Sequence, residues 1–331
     1  MIPAPPTLPI SRRLVATVVG RIVWAGIVVY AVVTGLFALF VFAPDTRQIS
    51  MLWARAQQGE PVEMEEPPPV HEQYVDWVYS LVTFQWGESE SAAARGGGQF
   101  EGQSNFTVVV DATSVTLTYV VPATLVAFLL GLGLGYYAAR RSGFLSDRLL
   151  SGSTYLLFSV PNFFLAAVIF YTLLESNPGW FPTGYDTGTG LTLENLLWLA
   201  LPGFVLSTHL VSVHFRYSRG EVITALEKRY VAFLRAKGTG RRRIARHVFR
   251  NAALPLVTLF VTELIGVMLV TVFVLEVVFQ VPGIGMLAYD AVLNRDLNLV
   301  MVLTALFATT VVFANLLQDL AYVALDPRSG G

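Results

Sequence analysis

The sequence predicts an all-α polytopic membrane protein with six transmembrane helices, and three observations carry that reading. The 331-residue chain is 54% hydrophobic and only 14% charged, with a mean hydropathy of +0.58, beyond what a soluble core requires. Its apolar residues gather in long runs near the ~20 residues that cross a bilayer's hydrocarbon core. Of 22 lysines and arginines, only Arg47, Arg55, Arg95 and Arg295 fall in segments that alternate to the outer side, as the positive-inside rule demands. The absence of cysteine excludes disulfides, thiolate metal sites and cysteine nucleophiles together.

Residues 1–13 read as a Pro-rich cytoplasmic tail, and 14–42 as the first span. Ser11-Arg12-Arg13-Leu14-Val15 resembles a twin-arginine export signal, but the apolar run that follows is interrupted only by Arg21 and exceeds the ~7–15 residues of a signal's apolar region. Arg12, Arg13 and a snorkelling Arg21 then hold the start of the span inside.

Residues 43–111 form a predicted outer loop, rich in glutamate, with Pro67-Pro68-Pro69 and Gly96-Gly97-Gly98 as flexible parts. Tyr74, Trp77, Val78, Leu81 and Phe84 have helical spacing and predict a surface helix within it. The loop is read as a solvated segment, or as an acidic face that helps dock an external binding protein. Asn105-Phe106-Thr107 is a glycosylation sequon on that side.

The second span, 112–138, carries Gly131, Gly133 and Gly135, a small-residue face for close helix approach. Arg140, Arg141 and Arg148 flank a cytoplasmic turn before the third span, 149–174. Pro161 and Asn162 break that span midway, and the carbonyl a proline frees must be satisfied by neighbours or pore water, so this place is a candidate for lining the path. An outer loop with Trp180, Phe181 and Tyr185 at the interface leads to the fourth span, 194–214. Its His209 and His214 are five residues apart, about 140° around a helix, which suits packing rather than a shared metal. The fifth span, 253–280, contains Glu263 and Glu276, each costly if lipid-facing. Glu263 is predicted to face a translocation cavity. The sixth span, 299–322, holds Asn315 and Asp319, read as buried partners of other helices, and 326–331 is a cytoplasmic tail.

Between the fourth and fifth spans, residues 215–252 carry eleven cations against Glu221 and Glu227, which places them in the cytoplasm. Ala225, Tyr230, Phe233, Leu234 and Ala236 can share one helical face, and Ile244, Val248 and Phe249 form a second stripe. Gly238-Thr239-Gly240 separates two short helices. Such a pair on the inner surface suits docking of a partner protein; the bland alternative is a loop that orients the chain or touches anionic lipid.

This segment carries a resemblance. Tyr230-Val231, Arg235-Ala236-Lys237-Gly238, Arg246-His247, Arg250-Asn251-Ala252 and Leu254-Pro255 resemble the coupling loop of the dipeptide/oligopeptide ABC-importer permeases. The positions of that loop's Glu-Ala-Ala triplet hold Ala232, Phe233 and Leu234 here. Ser159-Val160-Pro161-Asn162-Phe163, Glu276-Val277-Val278-Phe279 with Pro282-Gly283-Ile284-Gly285, and the ending Ala324-Leu325-Asp326-Pro327-Arg328 are similar to further motifs of the same family, in its order. The resemblance spans roughly 105–328 and implies a type I ABC-importer permease in the cell membrane, multi-pass, with both termini cytoplasmic. It further implies a non-catalytic subunit without cofactor of its own, ATP and Mg being held by two cytoplasmic ATPase subunits. A second, paralogous permease making a heterodimer, an external solute-binding protein and membrane lipid are the other implied partners; nucleic acid is not.

The resemblance gives di- and oligopeptides as the leading cargo, with oligosaccharides or nickel as alternatives. It assigns Glu276 either to bracing the outer gate or to the solute. A different class, an ion-gradient-driven secondary transporter or channel, would show inverted repeats with ionisable residues at mid-membrane. The chain cannot hydrolyse ATP itself: its only lysines, Lys228 and Lys237, precede Arg229 and Gly238, whereas a P-loop needs Lys followed by Ser or Thr.

Overall fold

A computed structural model describes residues 12–42, 68–88, 103–267, 271–294 and 296–325. In chain order these form helices α1 (Arg12–Val41), α2 (Val70–Thr83), α3 (Asn105–Arg140), α4 (Leu145–Ser159), α5 (Asn162–Ser176) and α6 (Leu193–Glu227). Next come α7 (Arg229–Ala236), α8 (Arg241–Gly266), α9 (Val272–Phe279), α10 (Ile284–Leu293) and α11 (Leu297–Leu325). Among the described residues, four helices are long and apolar enough to cross a membrane: α3, α6, and the 19–39 and 298–318 parts of α1 and α11. The number rises to six if α4 with α5 and α9 with α10, bent by 83° and 78°, each count as one span.

Helix ends depart from the predicted spans wherever polar residues still favour helix. α3 begins at Asn105, because the Ser104 side chain accepts the Thr107 N–H, so residues 105–111 are helix rather than loop. α6 continues past 214 to Glu227, and α8 starts at Arg241, well before 253. The predicted basic loop is therefore mostly the ends of two long helices, with only α7 between them.

The centre of the fold is the α3–α6 pair, and glycine sets its spacing. A Cβ on Gly131 would meet the His214 Cβ at 2.5 Å, and one on Gly135 would meet the Phe215 carbonyl and the Ser218 side chain at 2.8 Å. On Gly133 it would meet nothing within 4 Å, so the close-approach face is Gly131 and Gly135 alone. Across the same seam Ser218 donates to the Leu132 carbonyl at 3.3 Å and Ser207 lies 3.3 Å from that of Ala123. Tyr119, Val120, Ala127, Trp198, Leu206 and Leu210 fill this interior together with α9 side chains.

The predicted surface helix exists as α2, and it packs on the end of α1. Phe37 is buried against the rings of Tyr74 and Trp77, and Thr34 and Tyr74 share a hydroxyl hydrogen bond of 2.8 Å. The chain after α2 is pinned at Trp86, whose carbonyl accepts the side-chain amides of Asn105 and Asn298, both at 2.8 Å. Asn105 is fully buried with its amide nitrogen committed to the Trp86 and Glu88 carbonyls, so the sequon is not a glycosylation acceptor in this fold. Sequence reading took it for an outer-loop residue; burial makes it the lock of that loop.

One further expectation changes. Arg21 lines a groove between α1 and α11 with Trp24, Val28, Val312 and Asn315. Asn315 is exposed in that groove, not buried. The Asp319 side chain lies outside the described residues.

Candidate functional site

Helix α7 is seated by one residue. Lys228 takes an extended conformation (φ −65°, ψ 144°), ending α6 and starting α7 without a loop. Val231 is fully buried among Val222 and Ala225 of α6, Ala139 of α3, and Ile244 and Val248 of α8, with Tyr230 and Leu234 packed against the cluster. The remaining positions, Arg229, Ala232, Phe233, Arg235 and Ala236, face outward. Phe233 is 59% exposed, and the Lys237 ammonium sits 4.4 Å from its ring centre.

This corrects the predicted face. The kink at Lys228 restarts the helical register, so periodicity counted from Ala225 does not carry into α7: Tyr230 and Leu234 pack with Ala225, Phe233 and Ala236 are exposed, and Val231, outside the predicted face, is the buried residue.

The stop of α7 is fixed by Gly238, whose φ of +71° is the left-handed conformation that favours glycine. Its N–H donates to the Arg235 carbonyl and that of Thr239 to the Leu234 carbonyl, both at 3.0 Å, the paired bonds of a Schellman ending. Beyond it, Arg246 and His247 are exposed on α8, while Asn251 and Pro255 lie in helical backbone with side chains outside the described residues. The same end of the molecule is braced by an ion pair that sequence reading missed. Arg219 of α6 donates twice to Asp147 of α4, at 2.6 and 2.8 Å, and the Gly143 N–H donates to the same carboxylate at 2.9 Å. The residues alone gave no pairing signal, since they are 72 positions apart.

At the opposite end, Glu276 is fully buried in the corner between α9 and α10. Its Oε1 accepts the Thr116 hydroxyl at 2.6 Å and the Tyr119 hydroxyl at 3.1 Å. Its Oε2 accepts the N–H of Gly285 at 2.6 Å and of Met286 at 3.2 Å. Thr116 in turn accepts the Ile284 N–H at 2.9 Å, so the first turn of α10 has its orphan donors satisfied by two side chains from other helices. A carboxylate there also complements the helix dipole. Pro282 leads into the turn, and the two glycines give the carboxylate its room. A Cβ on Gly283 would overlap the Glu276 carboxylate, and one on Gly285 would meet the Phe273 Cα at 2.6 Å. The geometry is that of a structural tie between α3, α9 and α10.

The other candidates are not gathered with either end. Pro161 is exposed at the 83° bend between α4 and α5, where its carbonyl starts α5 by accepting the N–H groups of Phe164 and Leu165 at 3.0 and 3.1 Å. Asn162, the first residue of α5, is half-buried. Glu263 is half-buried on α8, within electrostatic range of His209. His209 stacks on Phe158 with centroids 5.1 Å apart, whereas His214 is fully buried edge-on to Phe128 at 5.2 Å, so the two imidazoles do not converge.

The fold and these two ends define a class: an all-helical, multi-pass membrane protein with a glycine-zipped helix pair, a braced Pro-Gly corner and an exposed basic helix on a rigid seat. Residues 131–330 match the model of the binding-protein-dependent transport system inner membrane component family, and the chain belongs to that family. It is thus a permease component of a binding-protein-dependent ABC transporter, with the type I importer permease fold.

Relatives carry peptide names. The chain is 29% identical to the oligopeptide transport system permease protein AppB of Bacillus subtilis over 268 residues, covering 78% of this chain and 80% of the relative. It is 29% identical to the dipeptide transport system permease protein DppB of the same organism over 262 residues (78% and 79%). Identity to the oligopeptide transport system permease protein OppB of Haemophilus influenzae is 28% over 262 residues (78% and 80%).

Proposed function

We propose that this chain forms half of the translocation path of an ATP-driven importer of di- and oligopeptides, and that α7 is the element through which a cytoplasmic ATPase drives it. The observation that carries the reading is Phe233: a large apolar side chain, 59% exposed, on a helix whose other face is fixed by the buried Val231. A soluble partner's cleft would cover that ring, and the seat would pass its movement to α3, α6 and α8 at once. The peptide names of the relatives support the cargo.

In this reading α7 and both termini lie in the cytoplasm, with 43–111 outside. Two ATPases bind ATP and Mg, a second, paralogous permease completes the bundle, and an external binding protein delivers the solute. ATPase closure draws α7 inward and switches the bundle between two states, which the chain's own residues accomplish without covalent chemistry. Glu263 lines the cavity between those states.

Uptake of labelled trialanine into proteoliposomes holding the whole transporter tests this. It should require ATP together with the binding protein, and be insensitive to collapse of ion gradients. Uptake driven by an ion gradient without ATP would place the protein among secondary transporters, and uptake of an oligosaccharide or nickel but no peptide would overturn the cargo.

A further inference from the structure

We propose that one face of α3 is the solute-contact wall of this chain, and that Asp111 at its head receives the ammonium group of the solute. The proposal rests on the peptide reading above and adds to it which residues meet the peptide.

Two cavities, of about 320 and 290 Å³, lie end to end along α3. Asp111, Ser114 and Val115 line the first, Thr118, Pro122 and Val126 the second, at steps of one and three or four residues that keep them on one stripe of the helix. From Asp111 to Val126 that stripe is about 22 Å long, most of a hydrocarbon core. The outer loop after α5 and the Pro282 turn wall the upper cavity, and α6 walls the lower one. The Glu276 corner therefore holds one side of this groove in place.

The chemistry of the stripe is one-sided. The Ser114 hydroxyl donates to the Asp111 carbonyl at 2.7 Å, Thr118 to the Ser114 carbonyl at 2.8 Å, and Ser207 to the Gly203 carbonyl at 2.8 Å. With their protons used on the helices, all three oxygens present only lone pairs to the groove. Pro122 has no N–H, so the Thr118 carbonyl lacks its helical partner and adds another acceptor. Asp111 is an exposed carboxylate seven positions into α3, at the head of the stripe, and it lines the first cavity. Among the described residues, no Lys, Arg or His lines either cavity. A stripe of acceptors with one anion, faced by walls that add only the Tyr185 and Thr187 hydroxyls to apolar groups and backbone, fits a donor-rich cation: an ammonium followed by amide N–H groups and small side chains.

The cysteine-free sequence allows a direct test. Ser114→Cys and Thr118→Cys, each the sole cysteine of this chain in the assembled transporter made cysteine-free in its other subunits, are treated with a cationic (aminoethyl) or an anionic (sulfonatoethyl) methanethiosulfonate. The cationic reagent should react about tenfold faster at Ser114→Cys, the preference should fall toward unity with Asp111→Asn, and Asp111→Glu should restore it. Trialanine delivered by its binding protein should slow modification of Thr118→Cys severalfold. Equal reagent preference with and without the carboxylate, or a Thr118→Cys that no reagent reaches, would overturn the groove. If trialanine is transported yet Thr118→Cys is not protected, the groove fails while the peptide reading stands; if no peptide is transported while the charge preference is present, the peptide reading fails instead.

Discussion

Glu276 accepts the backbone N–H of Gly285 at 2.6 Å, nine residues onward and across a 78° bend between two helices. A side chain at the end of α9 thereby starts α10, and Thr116 and Tyr119 tie both to α3. Glu276→Gln puts an N–H2 group among four donors. Hydrogen bonds to a charged group are worth about 1.5–3 kcal/mol each, so the variant should lose about 2–3 kcal/mol of stability. Thermal unfolding of the purified protein in detergent measures this, and an unchanged transition would contradict the bracing role.

Gly283→Ala and Gly285→Ala attack the same corner sterically. Their Cβ atoms would meet the Glu276 carboxylate and the Phe273 backbone, neither of which is free to yield. Both variants should give lower folded yield than Gly266→Ala, whose Cβ would meet nothing within 4 Å. Fluorescence-detected size exclusion ranks the three.

The helix seam makes a sharper comparison. Gly131→Leu and Gly135→Leu should separate α3 from α6 and cost more than the 1–3 kcal/mol typical of overpacking, because backbone atoms stand in the way. Gly133→Leu, two residues from each, should be tolerated. Loss of folded yield in all three variants would remove the seam assignment.

The four long apolar helices were legible because apolar runs are a one-dimensional signal, and so was the Gly131–Gly135 face, whose spacing lies within one helix. The Gly238 stop was legible because its conformation is set locally. What escaped reading depends on pairs distant in sequence. Asp147 with Arg219 and Thr116 with Glu276 are separated by 72 and 160 positions. Val231 escaped for another reason: the kink at Lys228 resets the register, and no count of periodicity crosses it. Asn105 looked like a surface sequon because burial of a loop anchor leaves no mark in composition.

The Arg219–Asp147 bridge should behave as a coupled pair. Asp147 is 4% exposed in its side chain and Arg219 30%, so Arg219→Gln leaves a nearly buried carboxylate short of its fork. A double-mutant cycle with Asp147→Asn should return about 1–3 kcal/mol of coupling in unfolding experiments. Additive losses would mean that the bridge contributes nothing beyond its separate residues.

Gly238→Pro removes both features of the α7 stop, the φ of +71° and the N–H bonded to Arg235. The variant should insert and fold at near-normal yield, since Gly238 is exposed, while ATP-dependent uptake falls at least tenfold. Uptake at the unaltered rate would sink the role of α7 in coupling.

The most direct measurement is copurification of the ATPase with Phe233→Ser. Phe233 is exposed, so its loss leaves the seat around Val231 intact and the permease should fold normally. The account predicts that most of the ATPase is lost from the purified complex. Full-strength copurification of Phe233→Ser with its ATPase would contradict it.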